Sequence, residues 1–319
     1  MQLNKITEAL LGVAIGDAVG VPYEFKSAEE MENHPAKGMI GYGTYNQPAG
    51  TWSDDSSLTF CLAESLLGGY NLADMATKFS AWKNRNYWSA RGELFDIGIT
   101  TANAINRLDK IVASGNLEEL TLLKYQGDEF DNGNGSLMRI MPLLCYIKDR
   151  PIEKQFEIIW NVSALTHRHI RAAMSCLIFL TLAENLLTET DKGKAYTSMR
   201  QQITAFWQSM NFSADEQKHF TKVIAKDIRS TSRKDLRSGG YVIESIEASL
   251  WCFLCEDTYE STILSAVNLG HDTDTTAAIA GGLAGLHYGQ QGFPELWLYS
   301  LARMEDIIDL GHKLHQKYF

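Results

Sequence analysis

The chain has 319 residues, of which 45% are hydrophobic and 21% charged, a composition typical of a soluble globular protein rather than a disordered or fibrous one. Its formal net charge of −10 argues against a broad electrostatic contact with nucleic acid or with an anionic membrane. An odd number of cysteines, five, and an N-terminus without a secretory pattern predict a cytoplasmic protein with reduced thiols, and we expect a monomer.

The hydrophobic pattern predicts helices from the first segment onward. Apolar residues recur at helical spacing at Ile6, Leu10 and Val13 and in most later segments, whereas the alternation typical of strands is scarce. The apolar run of residues 172–183 is too short to span a membrane and predicts a buried central helix. We therefore expect an all-α, single-domain, compact multi-helix bundle over residues 1–319, with ten or more helices and a long glycine-rich functional loop at 38–50.

Two acidic segments lie in the first fifth of the chain. GDAVGVPYEF, residues 16–25, puts Asp17 at the end of the first predicted helix and Glu24 after a proline turn. TWSDDSSLTF, residues 51–60, puts Ser53 and two aspartates before another amphipathic helix. Taken alone, the second segment indicates a capped helix start in which the aspartates complement the helix dipole.

A third acidic segment, HDTDTT at residues 271–276, precedes a helix predicted from Thr275. Asp274 can act as an ordinary N-cap, but this leaves Asp272 unexplained. The following AAIAGGLAG is unusual for a helix, because each glycine costs about 1 kcal/mol relative to alanine. Small residues there allow another backbone or a ligand to approach closely.

Together the three segments offer only oxygen ligands, the set that Mg²⁺ and Mn²⁺ prefer over zinc. Clustered carboxylates would repel one another, and two divalent ions would relieve that repulsion. An EF-hand does not explain the pattern, because Ala277 and Leu283 occupy the sixth and twelfth loop positions from Asp272. DTDTT also matches the DxDxT motif of haloacid-dehalogenase-type phosphatases, but its place after a helical pattern near the C-terminus argues against that class.

Three further segments each have two interpretations. FDNGNGSLMRIMP, residues 130–142, is either a plain glycine turn or a concavity of backbone N–H groups that binds a diphosphate. His167, in LTHRH, is either a core histidine or a ligand-binding residue. Asp96, in FDIGITT, is either an N-cap or a functional carboxylate.

Two patterns favour a structural interpretation. Cys252 and Cys255 form a CxxC inside an apolar helical stretch, which predicts buried core cysteines rather than a redox or metal pair. The basic run of residues 229–237 favours a solvated loop over a phosphate-binding patch.

Seven segments in this order resemble the ADP-ribosylglycohydrolase family, and within it the bacterial branch around dinitrogenase reductase-activating glycohydrolase. The matching segments run almost end to end and are GDAVGVPYEF, WSDDS, FDIGITT, NGNGSLMR, THRH, GGYVIESIEASLW and AVNLGHDTDTTAAIAGGLAGLHYG. The resemblance implies an all-α fold with a binuclear Mg²⁺ or Mn²⁺ site in a cleft.

Matching positions imply the metal ligands. One ion would be held by Ser53, Asp54, Asp55 and Asp274, and the other by Glu24, Asp272, Asp274 and Thr275. The sequence departs from the family at two points. Ser53 stands where threonine is frequent but keeps the hydroxyl, and His271 stands where glycine is common, so we expect it to narrow the cleft.

The resemblance also implies how a substrate is bound and cleaved. The metals would hold the distal ribose of ADP-ribose and make a water nucleophilic at neutral pH. Glu24, or an aspartate such as Asp55, would accept the proton of that water, and Asp96 would interact with the leaving group. The diphosphate and ribose would be contacted by Asn134, Gly135, Ser136, Leu137, Met138 and His167, with Tyr241 stacking on the adenosine.

The resulting hypothesis is a metal-dependent hydrolase that removes ADP-ribose from protein side chains, with arginine N-glycosides the expected linkage. Serine O-glycosides and small-molecule conjugates of ADP-ribose remain alternatives. A non-catalytic protein that binds ADP-ribose or blocks a partner, as in immunity-type proteins, is a further alternative. The presence of every expected ligand favours the enzyme.

Overall fold

The computed structural model describes residues 3–319, and its regular secondary structure is almost entirely helical. Within these residues extended pairing is limited to two isolated bridges, Tyr42 with Gln47 and Gly133 with Tyr241. The all-α prediction is therefore confirmed. The helices are α1 (Lys5–Gly20), α2 (Ala28–Asn33), α3 (Asp54–Leu67), α4 (Leu72–Arg85), α5 (Ile99–Ser114), α6 (Glu119–Leu122), α7 (Leu144–Ile147), α8 (Ile152–Ala164), α9 (Ile170–Leu186), α10 (Lys192–Ser209), α11 (Ala214–His219), α12 (Val242–Cys255), α13 (Tyr259–Val267), α14 (Thr273–Tyr288), α15 (Glu295–Ser300) and α16 (Met304–Tyr318).

Helix α9 lies at the centre of the bundle. Every residue from Ala172 to Ala183 is buried, because α8, α10, α12 and α14 pack around it. An apolar surface on all sides is what a fully enclosed helix requires. The segment Lys5–Tyr23 is also long and apolar enough to cross a membrane, but 94% of its 18-residue apolar window is buried inside the fold.

Helices α1 and α14 pack against each other through glycines. A Cβ atom on Gly12 would overlap the carbonyl oxygen of Gly281, and one on Gly16 would overlap that of Ala277. A Cβ atom on Gly20 would overlap the backbone of Asp274 in the same way. The small residues of AAIAGGLAG therefore admit another backbone, and this contact brings the end of α1 to the start of α14.

The structure corrects several details of the sequence interpretation. Asp17 lies inside α1, which continues to Gly20, and α14 begins at Thr273 rather than at Thr275. Cys252 is buried but Cys255 is exposed, because it is the last residue of α12, so the prediction of two core cysteines is wrong for Cys255.

The glycine-rich segment 38–50 is irregular, as predicted, apart from a short 3₁₀ turn at Gly43–Tyr45. It packs on the segment that carries Glu24. A Cβ atom on Gly43 would overlap the backbone of Pro22, and the Thr44 hydroxyl donates to the Glu24 carbonyl oxygen at 2.8 Å. The loop therefore fixes the backbone of one predicted site residue.

We expect Gly16→Ala to lower the free energy of unfolding by about 1–3 kcal/mol, because its methyl group has no space beside Ala277. Helix propensity alone predicts the opposite sign, a gain of about 1 kcal/mol. Gly38→Ala is the matched control, since a Cβ there would lie 3.6 Å from the Trp297 ring nitrogen, an ordinary contact. Urea denaturation measures the free energy of unfolding of both variants. Equal values for the two would contradict the close packing.

Candidate metal and ligand cleft

Asp17 organises the start of α3 from inside α1. Its carboxylate is fully buried and accepts hydrogen bonds from the Ser53 N–H at 2.9 Å, the Ser56 N–H at 3.0 Å and the Ser56 hydroxyl at 2.6 Å. The Ser53 side chain is the N-cap of α3, as the sequence indicated, and accepts from the Asp55 N–H at 3.3 Å. These bonds satisfy N–H groups that a helix start leaves free and hold the two following aspartates in place.

The three acidic segments converge on one cleft of about 390 Å³. Its lining includes five carboxylates and one hydroxyl from the predicted set, namely Glu24, Asp54, Asp96, Asp272, Asp274 and Thr275. Ser53 and Asp55 do not line the cleft and lie behind it. Asp55 is connected to the set by hydrogen bonds that its Oδ2 accepts from the Thr275 hydroxyl at 3.3 Å and the Ser53 hydroxyl at 3.1 Å.

The donor set fits a metal ion. One carboxylate oxygen each from Glu24, Asp272 and Asp274 lies within 4.8 Å of the others. Three buried oxygens of the cluster have no hydrogen-bond partner in the described chain, and they are Glu24 Oε2, Asp55 Oδ1 and Asp274 Oδ2. Because a buried carboxylate oxygen without a partner is costly, these atoms require a cation or a proton.

In the absence of a cation, burial and mutual repulsion raise the pKa values of the carboxyl groups in the cluster. Burial, reinforced by the charge of Asp96, raises the pKa of Glu24 to about 8. Burial, reinforced by neighbouring carboxylates, raises the pKa values of Asp54, Asp55 and Asp274 well above their usual range. Divalent ions would restore the charged forms by supplying the missing positive charge.

Neither Asp274 nor Asp96 is an N-cap, so both structural alternatives are wrong. Asp274 lies in the first turn of α14, where its Oδ1 accepts from the Thr275 N–H at 2.9 Å. Asp272 occupies the N-cap position without a capping bond and accepts from the Asn134 amide at 2.7 Å. The N-cap of α5 is Gly98, two residues beyond Asp96.

The glycine turn forms a second wall of the cleft, with Gly133, Asn134, Gly135 and Met138 in its lining. The Met138 N–H donates to the Asn134 carbonyl oxygen at 3.1 Å, which closes one helical turn. Within the described residues no group accepts from the intervening N–H groups of Gly135, Ser136 and Leu137. Three free N–H groups in one turn are suited to an anion such as a diphosphate.

The side chains of two residues predicted to bind substrate lie outside the cleft. Ser136 and Leu137 are fully buried, and the Ser136 hydroxyl accepts from that of Ser163 at 2.8 Å. Neither residue is part of the cleft lining, so only their backbone N–H groups are available to a ligand bound at the turn. Tyr241 is also absent from the lining, and its hydroxyl lies 3.4 Å from His219 Nδ1.

His167 is both a core histidine and a cleft residue. It is buried, lines the cleft beside the glycine turn, and its Nδ1 lies 2.9 Å from the Thr166 hydroxyl. Burial and the nearby Arg139 charge lower the pKa of His167 to about 3, so the ring is neutral. His271 is exposed and lines a neighbouring recess instead, so the expectation that it narrows the cleft is wrong.

Sequence reasoning missed three residues that shape the cleft. The sequence predicts Asp17 only as the end of a helix and Tyr45 only as part of a loop, whereas the Tyr45 ring packs beside those of Phe25 and Phe95, the neighbours of Glu24 and Asp96. Arg139 is fully buried beneath the glycine turn, donates to the carbonyl oxygens of Gly135 and Val162, and lies 4.9 Å from the Phe79 ring. A charged residue inside an apolar run, as in SLMRIMP, was the available signal for Arg139.

Comparison with known proteins identifies the family. The model of the ADP-ribosylglycohydrolase family matches residues 1–319. The chain belongs to the ADP-ribosylglycohydrolase family. The family resemblance seen in the sequence is thus confirmed.

Individual relatives of this ADP-ribosylglycohydrolase cover most of its length. The ADP-ribosylarginine hydrolase Tri1 of Serratia proteamaculans is 30% identical over 98% of this chain and 79% of its own. The ADP-ribosyl-[dinitrogen reductase] glycohydrolase of Rhodospirillum rubrum is 26% identical over 93% of this chain and 90% of its own. A solved ADP-ribosylglycohydrolase-related protein complex contains a chain that is 26% identical, with a TM-score of 0.75 over 99% of this chain and 98% of that one.

The stability of the metal-free protein should fall as the pH rises from 5 to 8. A carboxyl whose folded-state pKa is raised stabilises the fold below its unfolded-state pKa, and this stability is lost as the pH passes the folded values, about 6 for Asp17 and about 8 for Glu24. Thermal unfolding in chelator at both pH values tests this, and Mn²⁺ at pH 8 should restore the midpoint.

In the same experiment we expect Asp54→Asn to raise the midpoint at pH 8 in chelator, because it removes a carboxyl group whose ionisation is opposed by burial and by the charge of Asp96. Asp309→Asn serves as the control and should change the midpoint little, because this side chain is 63% exposed and its ion pair with Lys313 lies on the surface of α16. A midpoint of the metal-free wild-type protein that rises with pH would contradict the proposed electrostatics.

Proposed function

We propose that the protein removes ADP-ribose from ADP-ribosylated arginine side chains of proteins, using two Mg²⁺ or Mn²⁺ ions. As a member of its family it is a hydrolase of ADP-ribose conjugates. The observation that carries the proposal is the cleft, where a carboxylate cluster with three unpartnered oxygens adjoins a turn with free N–H groups. The first part suits cations that hold ribose hydroxyls, and the second suits the diphosphate.

The arginine linkage is supported by the names of relatives. The Tri1 proteins of Serratia proteamaculans and Pseudomonas putida, both 30% identical, are named ADP-ribosylarginine hydrolases. The ADP-ribosylhydrolase ARH3 of Xenopus tropicalis is 25% identical. A serine linkage, a small-molecule conjugate and a purely binding role are the alternatives that the experiments below separate.

The residues that would hold the ions are the acidic and hydroxyl residues of the cleft lining, together with Ser53 and Asp55 behind the cleft. One ion would contact Ser53, Asp54, Asp55 and Asp274, and the other Glu24, Asp272, Asp274 and Thr275. Bound ions would supply the charge that keeps these carboxylates ionised and the Lewis acidity that acts on ribose hydroxyls and water.

The chain's own groups would bind the rest of the ligand. The N–H groups of the glycine turn donate to the diphosphate, and the buried charge of Arg139 lies behind them. Neutral His167 offers its ring to the ribose from the same wall. These contacts fix the anomeric carbon relative to the carboxylates, which is the main requirement for attack by water.

Hydrolysis at the anomeric carbon passes through an oxocarbenium-like state. Glu24, with its unpartnered Oε2, accepts the proton of the attacking water, and Asp55 is the alternative base. The C–N bond to the guanidine breaks as Asp96 gives a proton to the leaving nitrogen. Burial raises the pKa of Asp96, which makes its protonated form accessible.

The state of the cysteines bears on the cellular setting. All five cysteines are free thiols, which supports a reducing cytoplasm. We propose that the protein acts there as a monomer on ADP-ribosylated proteins.

Release of ADP-ribose should require a divalent metal. We expect release from an ADP-ribosyl-arginine peptide with Mg²⁺ or Mn²⁺, none with chelator, and a loss of at least about 100-fold in Asp54→Ala and Asp274→Ala. Asp309→Ala is the control. Comparison with the matching ADP-ribosyl-serine peptide shows which linkage the protein cleaves. Full activity in chelator would contradict the metal role, and ADP-ribose binding without release from either peptide would favour a binding protein.

Asp96→Asn should reduce turnover roughly 100-fold while the affinity for ADP-ribose changes little, because general acid–base catalysis contributes about 10²–10⁴-fold. Single-turnover release and calorimetric binding of ADP-ribose measure the two effects separately. Unchanged turnover would remove Asp96 from the mechanism.

A further inference from the structure

Phe25, directly after Glu24, presents an exposed aromatic ring at the cleft. Phe25 is one of the residues that line the cleft, and it is 71% exposed. Its backbone is left-handed, with a φ of 66°. A bulky residue in this region is uncommon because its Cβ atom crowds the backbone, so the conformation must be imposed by its surroundings.

Two backbone hydrogen bonds impose this conformation. The Phe25 N–H donates to the His271 carbonyl oxygen at 2.7 Å, and the His271 N–H donates to the Lys26 carbonyl oxygen at 2.6 Å. His271 is itself left-handed, with a φ of 60°. Strained residues that the surrounding structure fixes concentrate at functional sites. The fixed backbone of Phe25 therefore suggests a function for its ring.

Phe25 and Asp96 lie on the same side of the cleft. The Tyr45 ring centroid lies 6.3 Å from that of Phe25 and 5.1 Å from that of Phe95, the neighbour of Asp96. The glycine turn instead adjoins the cluster at Asp272, through Asn134. With the diphosphate on that turn and the ribose on the carboxylates, the leaving group faces Phe25 and Asp96.

We propose that Phe25 and Asp96 form the subsite for the guanidinium of the departing arginine side chain, an inference that rests on the proposed function. A guanidinium is planar and weakly hydrated, stacks on aromatic faces and donates hydrogen bonds to carboxyl oxygens, which Asp96 offers in its protonated as well as its ionised form. An aromatic face beside a carboxyl group offers both contacts at once. A serine side chain has neither charge nor plane, so the same subsite discriminates between the two linkages.

The test compares Phe25→Leu with Phe25→Trp on two peptides that differ only in an ADP-ribosyl-arginine or an ADP-ribosyl-serine. Leucine keeps an apolar side chain without a π-face, and tryptophan keeps the π-face. We expect Phe25→Leu to raise KM for the arginine peptide roughly five-fold, with the Kd for free ADP-ribose and the KM for the serine peptide unchanged. Phe25→Trp should keep the wild-type KM.

Tyr42→Leu is a matched control, because Tyr42 is also exposed and left-handed, with a φ of 70°, but does not line the cleft. It should leave the KM for the arginine peptide unchanged. No effect of Phe25→Leu, or an equal effect on both peptides and on ADP-ribose, would overturn the subsite while leaving the hydrolase function intact.

A binding experiment separates failure of the subsite from failure of the proposed function. If the wild-type protein releases nothing from the arginine peptide, the proposed linkage falls. Methylguanidine binding to the metal- and ADP-ribose-loaded protein then tests the subsite by itself. Binding that Phe25→Leu weakens about five-fold supports it, and absence of binding to the wild-type protein overturns it.

Discussion

The close contact between α1 and α14 is the constraint on which the candidate site depends. Gly12 and Gly16 face Gly281 and Ala277 with no room for a Cβ atom, so the two backbones pack without intervening side chains. Gly20 meets Asp274 at the same interface. The contact therefore sets the distance between Glu24, which follows α1, and the aspartates that begin α14. A wider helix spacing would separate the carboxylates and leave no common metal position.

The consequence of this packing is an unusual density of buried negative charge. Asp17, Asp54, Asp55 and Asp274 are buried together, and within residues 3–319 none of them forms an ion pair. One of these carboxylates is stabilised locally, since Asp17 accepts hydrogen bonds from N–H and hydroxyl groups at the start of α3. Asp55 and Asp274 each keep a buried oxygen without a hydrogen-bond partner in the described chain, and a bound cation would satisfy these oxygens. The site is thus arranged for binding rather than for stability of the metal-free chain.

The local sequence predicted what depends on local physics. Helical spacing predicted the all-α class, and the apolar run 172–183 predicted a buried central helix. The local sequence also predicted Ser53 as the N-cap of α3. The resemblance to a family, not periodicity, brought Glu24 together with the distant aspartates. The roles of Asp17, Tyr45 and Arg139 were not predicted, because their partners lie far away in the chain and a local pattern does not show what a residue contacts in the folded protein. The direction of the Ser136 and Leu137 side chains and the exposure of Cys255 depend equally on packing that a sequence does not show.

The most direct test of the account is the number of Mn²⁺ ions that the purified, metal-stripped protein binds. Titration with Mn²⁺, followed by isothermal calorimetry and electron paramagnetic resonance, measures the stoichiometry and the proximity of the ions. We expect two ions per chain, with Asp274 as a shared ligand, and a spin-coupled signal. A single uncoupled ion, or no binding above that of an Asp55→Ala, Asp274→Ala double variant, would contradict it.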